Sequence, residues 1–351
     1  MALFTSAPNS LCILRLSAIG DVCNTIAAVQ MIQKQWPETK ITWITGKLEA
    51  HLIGDLPNIN VVIFDKKLGW KGYTQLWNTL KDERFDALLH MQYALRASIA
   101  TLGIKAKYKL GFDKKRSSDF QTLFTNYKVP SPQKPHVLDG LIAFVKELGV
   151  NVDKPIWTIP TSDKDNSWAT DQLDDTENKN LVIVPAASKA YKNWNAQGYA
   201  DVIHHAQAKG WSITLAGSPA QVEIDLAKDI ETRLMTPVKN LVGKSSLKEM
   251  LALLKQANLV IAPDTGPAHM ANAVNTPIIG LYAHHNPDRT CPYQFRDYVV
   301  TVYDEAIKAE TGKDKSELSW RTRVQDKTAM NRITSEQVIF MFDKAVTDFS
   351  L

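Results

Sequence analysis

No stretch of the chain restricts its fold more than LVIAPDTGPAHMANAVNTPIIGLYA, residues 259–283. Leu259 to Ala262 is apolar without alternation, as a parallel strand covered on both faces would be. Pro263, Asp264, Thr265, Gly266 and Pro267 then make a turn of structure breakers. Ala268, Met270, Ala271, Ala273 and Val274 follow at helical spacing, with Thr265 placed to act as N-cap and Pro267 suited to a first helical turn. Pro277 to Tyr282 closes the unit as a second strand. Strand, turn, helix and strand form a βαβ crossover. Its turn lies at the carboxyl end of the first strand, where open α/β sheets bind ligands and a helix N-terminus favours an anion. Asp264 and His269 are the polar groups at that mouth.

The same style recurs along the chain. Cys12–Leu16, Lys40–Thr45, Val61–Phe64 and Asp86–Met91 read as strands separated by helical segments, and a helix is expected from about Val22 to Gln35. A second series begins at Leu181–Val184 and continues through Trp211–Ala216 to the opening stretch. This alternation predicts mostly parallel, doubly wound sheets. A length of 351 residues suits two domains. The polar stretch from Asp153 to Lys179 is the expected linker, with a short helix at Ser167–Leu173 and solvated acids at Asp174 and Asp175. The expected division is 1–165, 166–330 and a final helix within 331–351, whose apolar side carries Val338, Ile339, Met341, Phe342 and Ala345.

Composition narrows the function. A hydrophobic content of 44% with 22% charged residues is that of a globular protein. The net charge of +4 permits anionic partners but lacks the strong basic bias of a nucleic-acid reader. Cys12, Cys23 and Cys291 are scattered, which implies a reducing compartment and no disulfide frame. The N-terminus lacks the pattern of a signal peptide, and no apolar run approaches the ~20 residues of a membrane span. A cytoplasmic location is therefore expected, with surface association with a membrane left open.

Three further segments offer chemistry. RLSAIGD, residues 15–21, follows the first strand and precedes a helix, so Asp21 sits at the mouth of the first sheet with Arg15 close in sequence. Gly20 stands alone there, and the dinucleotide fingerprint GxGxxG is absent. Asp21 suits a general base, provided it reaches the proton it removes; an acid stabilised by the helix dipole is the plainer reading. PAASKAYKNW, residues 185–194, brings Ser188, Lys189 and Lys192 to the ligand end of the second sheet. Lysine there would neutralise phosphate charge on a leaving group; Lys192, beside Trp194, is the stronger candidate and Lys189 reads as solvated. Lys105–Arg116 carries six Lys/Arg against one Asp, which fits a solvated face and an anionic partner equally. No P-loop, GxSxG or HExxH occurs, and His284-His285 lack companion ligands, so no metal site is expected.

Four segments in order, ILRLSAIGDVCNTIAA, KYKLGFDKKRSSDFQTLFTN, KNW and DTGPAHMANAVNTPIIGLY, resemble the ADP-heptose:lipopolysaccharide heptosyltransferases of glycosyltransferase family nine. The resemblance spans nearly the whole chain. It implies a GT-B fold, two Rossmann-like domains facing a cleft, with the last helix crossing back to the N-terminal domain. It implies inverting, metal-independent heptose transfer from ADP-heptose to a Kdo-lipid A core or one already carrying heptose, by a monomer at the cytoplasmic face of the inner membrane. Asp21 matches the base, with Lys192 assisting the reaction. Ser188, Lys192, Glu223, Asp264, Thr265, Gly266 and His269 match donor contacts, and Arg15, Gly20, Lys115 and Arg116 would meet the acceptor. The chain departs from the family at Gln221, where an acid is usual, and at Ala283 and His284, where Gly-Pro is usual. A glycosyltransferase using another nucleotide sugar, or a non-catalytic nucleotide-sugar-binding protein of the same fold, would share these motifs.

Overall fold

In the computed structural model, which describes residues 2–173 and 179–351, the strands assemble into two six-stranded sheets with parallel pairing throughout. Asp174 and Asp175 lie outside the described residues. The chain divides into two units, Met1–Pro160 and Thr161–Leu351, each built on one sheet.

The first unit contains β1 (Ser10–Leu14), β2 (Lys40–Thr45), β3 (Ile59–Ile63), β4 (Phe85–His90), β5 (Ala106–Phe112) and β6 (Tyr127–Val129). Its helices are α1 (Ile19–Gln35), α2 (Lys47–Ile53), α3 (Trp70–Thr79), α4 (Leu95–Ala100) and α5 (Val137–Leu148). The strand order is β3-β2-β1-β4-β5-β6. Winding proceeds outward from β1 through β2 and β3, then reverses through β4, so β1 and β4 flank the switch point where doubly wound sheets bind ligands. Both central strands are apolar runs covered on two faces, as their sequences require. Strand β5 lies inside the basic run and was not expected. Lys107 and Lys109 occupy alternate positions of a partly exposed strand, and their charge conceals its period.

The second unit contains α6 (Asp163–Gln172), β7 (Asn180–Ile183), α7 (Ala196–Ala208), β8 (Ser212–Leu215), α8 (Gln221–Glu231), β9 (Lys239–Asn240) and α9 (Leu247–Gln256). It continues with β10 (Leu259–Pro263), α10 (Gly266–Ala273), β11 (Ile278–Tyr282), α11 (Pro287–Thr290), β12 (Val299–Thr301), α12 (Tyr303–Thr311) and α13 (Ser335–Asp348). The order β12-β11-β10-β7-β8-β9 repeats the winding of the first sheet, with its switch point between β7 and β10. The polar stretch read as a linker carries α6, started by a reciprocal capping box between Ser162 and Asp165. Thr170 and the Asn166 carbonyl both bond Gln256 of α9, which ties α6 into the second unit.

The apolar side of the C-terminal helix α13 is covered within the second unit. Val338, Phe342 and Ala345 are fully buried in the core that also holds Trp211 and Ile203. Phe342 meets Trp211 edge to face at 5.2 Å, and Asp343 takes His205 at 2.9 Å and Lys209 at 2.8 Å, both from α7. Periodicity marks which side of a helix is apolar but not which surface covers it. Phe342→Ala should therefore cost about 3–5 kcal/mol of unfolding free energy. Denaturant titration followed by tryptophan fluorescence would measure this loss, and wild-type stability would contradict the assignment.

Candidate active site

Each switch point carries a basic side chain bonded to an aspartate. In the first unit the chain leaves β1 at Arg15, whose backbone N–H bonds the Ile44 carbonyl. The guanidinium is only 4% exposed, donates to the carbonyls of Ser17 at 3.0 Å and Met91 at 2.5 Å, and pairs with Asp21. Arg15 thus reaches from β1 to the end of β4. It was expected to meet the acceptor; its donors are directed to backbone carbonyls and to Asp21. Asp21 lies in the first turn of α1, which begins at Ile19, earlier than the expected Val22, and has no side-chain cap. First-turn N–H groups of such a helix remain available to an anion. The Asp21 side chain is 37% exposed, open enough to receive a proton from a bound molecule. Gly20 is buried beside it.

His90, at the end of β4, is another titratable group of the first sheet. It is fully buried and bonded to Ser98 Oγ at 3.0 Å. Burial, reinforced by Arg15, Lys109 and Lys128, pushes its pKa down to about 3. It stays neutral and enclosed, whereas Asp21 is open to solvent.

Beside Ser17 lies a cavity of about 420 Å³ at the carboxyl ends of β1, β2 and β3. Lys47, Lys66, Lys67 and Arg96 contribute to its lining against Glu49 and Asp65, a basic excess suited to anionic groups. Gly46 is required here, because a Cβ would stand 2.6 Å from the Leu16 carbonyl oxygen. None of these basic residues was singled out from sequence, although Lys66 and Lys67 follow a strand as Asp21 does. The expected acceptor contact Arg116 is 4% exposed and donates to the carbonyls of Lys134 at 2.5 Å and of Pro135 and His136 at 3.4 Å. It fixes the bend before α5, whereas Lys115 is exposed.

In the second unit, the loop after β7 and the turn after β10 meet. Lys192 Nζ lies 2.8 Å from Asp264 Oδ2 and 3.3 Å from the Asp264 carbonyl oxygen. Trp194 fixes this loop, being 2% exposed and donating from Nε1 to the Ile333 carbonyl at 2.9 Å. His285, which follows β11, bonds through Nδ1 to the same Asp264 oxygen. Burial pushes the Asp264 carboxyl up, but the bonds and charges of His285 and Lys192 outweigh it and hold the group well below the usual carboxylate range. Thr265 caps α10 by its backbone alone, without a side-chain bond, and Gly266 and Pro267 open the helix. His269 is buried in α10 at 8% exposure, and Ser188 is exposed on the loop.

Glu223, expected as a donor contact, is bonded to a nearby turn. Its carboxylate accepts from the Ser218 N–H at 2.7 Å and hydroxyl at 2.5 Å, closing the Gly217-Ser218-Pro219 turn. A Cβ at Gly217 would stand 2.7 Å from that carboxylate. Glu223 therefore shapes the loop after β8. His285 is the member of this site that sequence reasoning missed. An adjacent histidine pair without metal-ligand spacing carries no signal until the fold brings it to Asp264.

Residues 73–321 match the family described as glycosyltransferase family 9 (heptosyltransferase). The chain is 48% identical over 344 residues to the lipopolysaccharide core heptosyltransferase OpsX of Haemophilus influenzae, covering 98% of this chain and 99% of that one. It is similar in structure to a glycosyl transferase family 9 protein from Veillonella parvula, with a TM-score of 0.79, 20% identity and 97% of each chain covered. Escherichia coli heptosyltransferase WaaC, solved with ADP, gives a TM-score of 0.74 at 19% identity, covering 96% of this chain and 99% of that one. These two likenesses show the fold, the GT-B class of two Rossmann-like units.

The charge arrangement at Asp264 sets a pH dependence. A carboxyl depressed in the folded state contributes stability above its unfolded pKa of about 3.9, and that contribution is lost as pH falls toward the folded value. Asp264→Asn should cost about 3–5 kcal/mol at pH 7 by leaving Lys192 without its carboxylate. The gap to wild type should narrow below about pH 4. Urea denaturation of both proteins between pH 7 and pH 3 tests this, and a gap independent of pH would contradict it.

Proposed function

The chain belongs to glycosyltransferase family 9, the heptosyltransferases, and from that premise we propose that it transfers heptose from ADP-heptose to the Kdo or heptose residues of a lipopolysaccharide inner core. The observation that carries the residue-level reading is the pair of switch-point aspartates, one open and held by Arg15, the other enclosed by Lys192 and His285. The open one suits proton transfer and the enclosed one suits binding.

Asp21 takes the proton of the acceptor hydroxyl as its oxygen attacks the anomeric carbon of the donor. The bond from that carbon to the diphosphate breaks, ADP leaves, and attack opposite the leaving group inverts the anomeric configuration. Lys192 and the N-terminus of α10 meet the diphosphate charge, so the chemistry proceeds without a metal ion. Thr265, Gly266 and His269 belong to the same donor turn, with Ser188 on the facing loop. The binding of ADP by WaaC supports a donor of this class. Lys115, together with Lys47, Lys66, Lys67 and Arg96, meets anionic groups of the acceptor.

Asp21→Asn should lower kcat about 10²–10⁴-fold while ADP binding and the melting temperature stay near wild type. Release of ADP in the presence of ADP-heptose and Kdo2-lipid A measures it. Full turnover in this variant would remove Asp21 from the role of base.

A lipid-anchored acceptor also asks for contact with a bilayer, which we place on the first unit at the cytoplasmic face of the inner membrane. Leu48 and Arg96 of the basic cavity adjoin exposed apolar side chains in sequence or space. Leu48 is 59% exposed, Leu68 42%, Leu95 44% and Trp70 65%. Trp70 stands on Tyr73 and Trp77 at ring distances of 5.5 and 5.6 Å. Apolar and aromatic groups among lysines suit an anionic lipid surface. Lys66→Ala should weaken binding to anionic vesicles about fivefold, and Trp70→Ser should weaken it further. Sedimentation with vesicles of anionic or zwitterionic lipid tests this, and equal binding of wild type and both variants would contradict it.

A further inference from the structure

The Asp264 carboxylate has two donors on one oxygen, and only one of them belongs to the expected donor site. Lys192 approaches Oδ2 at 2.8 Å, and His285 Nδ1 bonds the same atom. The three side chains are 17%, 13% and 14% exposed for Lys192, His285 and Asp264, so water screens them little. His285 is held from both sides. Its backbone pairs with Arg323 in an isolated antiparallel bridge, and the neighbouring His284 bonds the Val324 carbonyl through Nδ1 at 3.1 Å and packs edge-on against Tyr191.

Burial lowers the His285 pKa, with Lys192 and Arg323 adding to the effect against the raising influence of Asp264. At neutral pH the ring is uncharged with its proton on Nδ1, because the ionised Asp264 can only accept. Lys192 and Asp264 then balance one another. A diphosphate at Lys192 must compete with Asp264 for that ammonium. Were Lys192 the sole partner, its transfer to phosphate would leave a buried carboxylate without a donor, which opposes ligand binding.

We infer that His285 is a positioning residue for donor binding: it keeps Asp264 hydrogen-bonded when Lys192 turns from that carboxylate to the diphosphate of the nucleotide sugar. The inference rests on the proposed donor site at Lys192. It also gives a use to His285, which directly follows Ala283 and His284, the residues that stand where Gly-Pro is usual. His285 neither touches the reacting atoms nor supplies charge to the phosphate. It acts through Asp264 by making Lys192 available.

The test is calorimetric titration of ADP, with steady-state kinetics on ADP-heptose, for wild type, His285→Ala, His285→Asn and Lys192→Ala. His285→Ala should weaken ADP binding by about tenfold or more, the worth of a hydrogen bond to a charged group. KM for ADP-heptose should rise more than kcat falls. His285→Asn restores an N–H donor near the position of Nδ1 and should recover most of the affinity. That recovery separates a hydrogen-bonding role from simple packing, and thermal melting shows that each variant folds. ADP affinity unchanged in His285→Ala, or equally poor in both His285 variants, would overturn the inference. Loss of binding in Lys192→Ala alone would leave the donor site standing without this role for His285. Unchanged binding in Lys192→Ala would instead remove the donor site itself.

Discussion

A parallel sheet wound in both directions from its centre leaves one place where neighbouring strands send their chains to opposite faces, and each unit puts a charge pair there. Arg15 with Asp21 lies beyond β1 and β4, and Lys192 with Asp264 lies beyond β7 and β10. The apolar strands that end at these points fix where the charged groups emerge. A buried ion pair is weak support for stability, since desolvation offsets much of its attraction. These pairs are better understood as holding polar groups in readiness at the ligand end of a rigid sheet.

The pairs differ in a way that separates their chemistry. Arg15 gives most of its donors to carbonyls and leaves Asp21 open, whereas Asp264 is enclosed by two donors and strongly favours its ionised form. An enclosed, strongly ionised carboxylate is a poor proton acceptor. It is well placed to govern a lysine. The same winding topology thus supports an exposed carboxylate in one unit and an enclosed, lysine-bound carboxylate in the other.

Much of this was legible in the sequence, because strong apolar periodicity and turn residues record local constraints. The βαβ unit at 259–283, the Asp21 turn and the Lys192 loop were all readable in that way. Long-range partners were not. Arg15 and Arg116 were expected at the acceptor because charge is visible in sequence, while the backbone carbonyls they also satisfy are not. Glu223 likewise bonds the turn five residues before it. His285 was passed over because its meaning depends on the neighbour that the sheet order brings to it. The last helix revealed its apolar side but not the core that receives it.

Inverting transfer of heptose from ADP-heptose to a lipopolysaccharide core, as proposed for this chain, would leave its record in the product. The most direct measurement is analysis of the lipid product after incubation of the purified protein with ADP-heptose and Kdo-lipid A, by mass spectrometry and then NMR of the new linkage. One added heptose is expected, joined with the anomeric configuration opposite to that of the donor. A lipid recovered unchanged while ADP binds normally, or a product that retains the donor configuration, would contradict it.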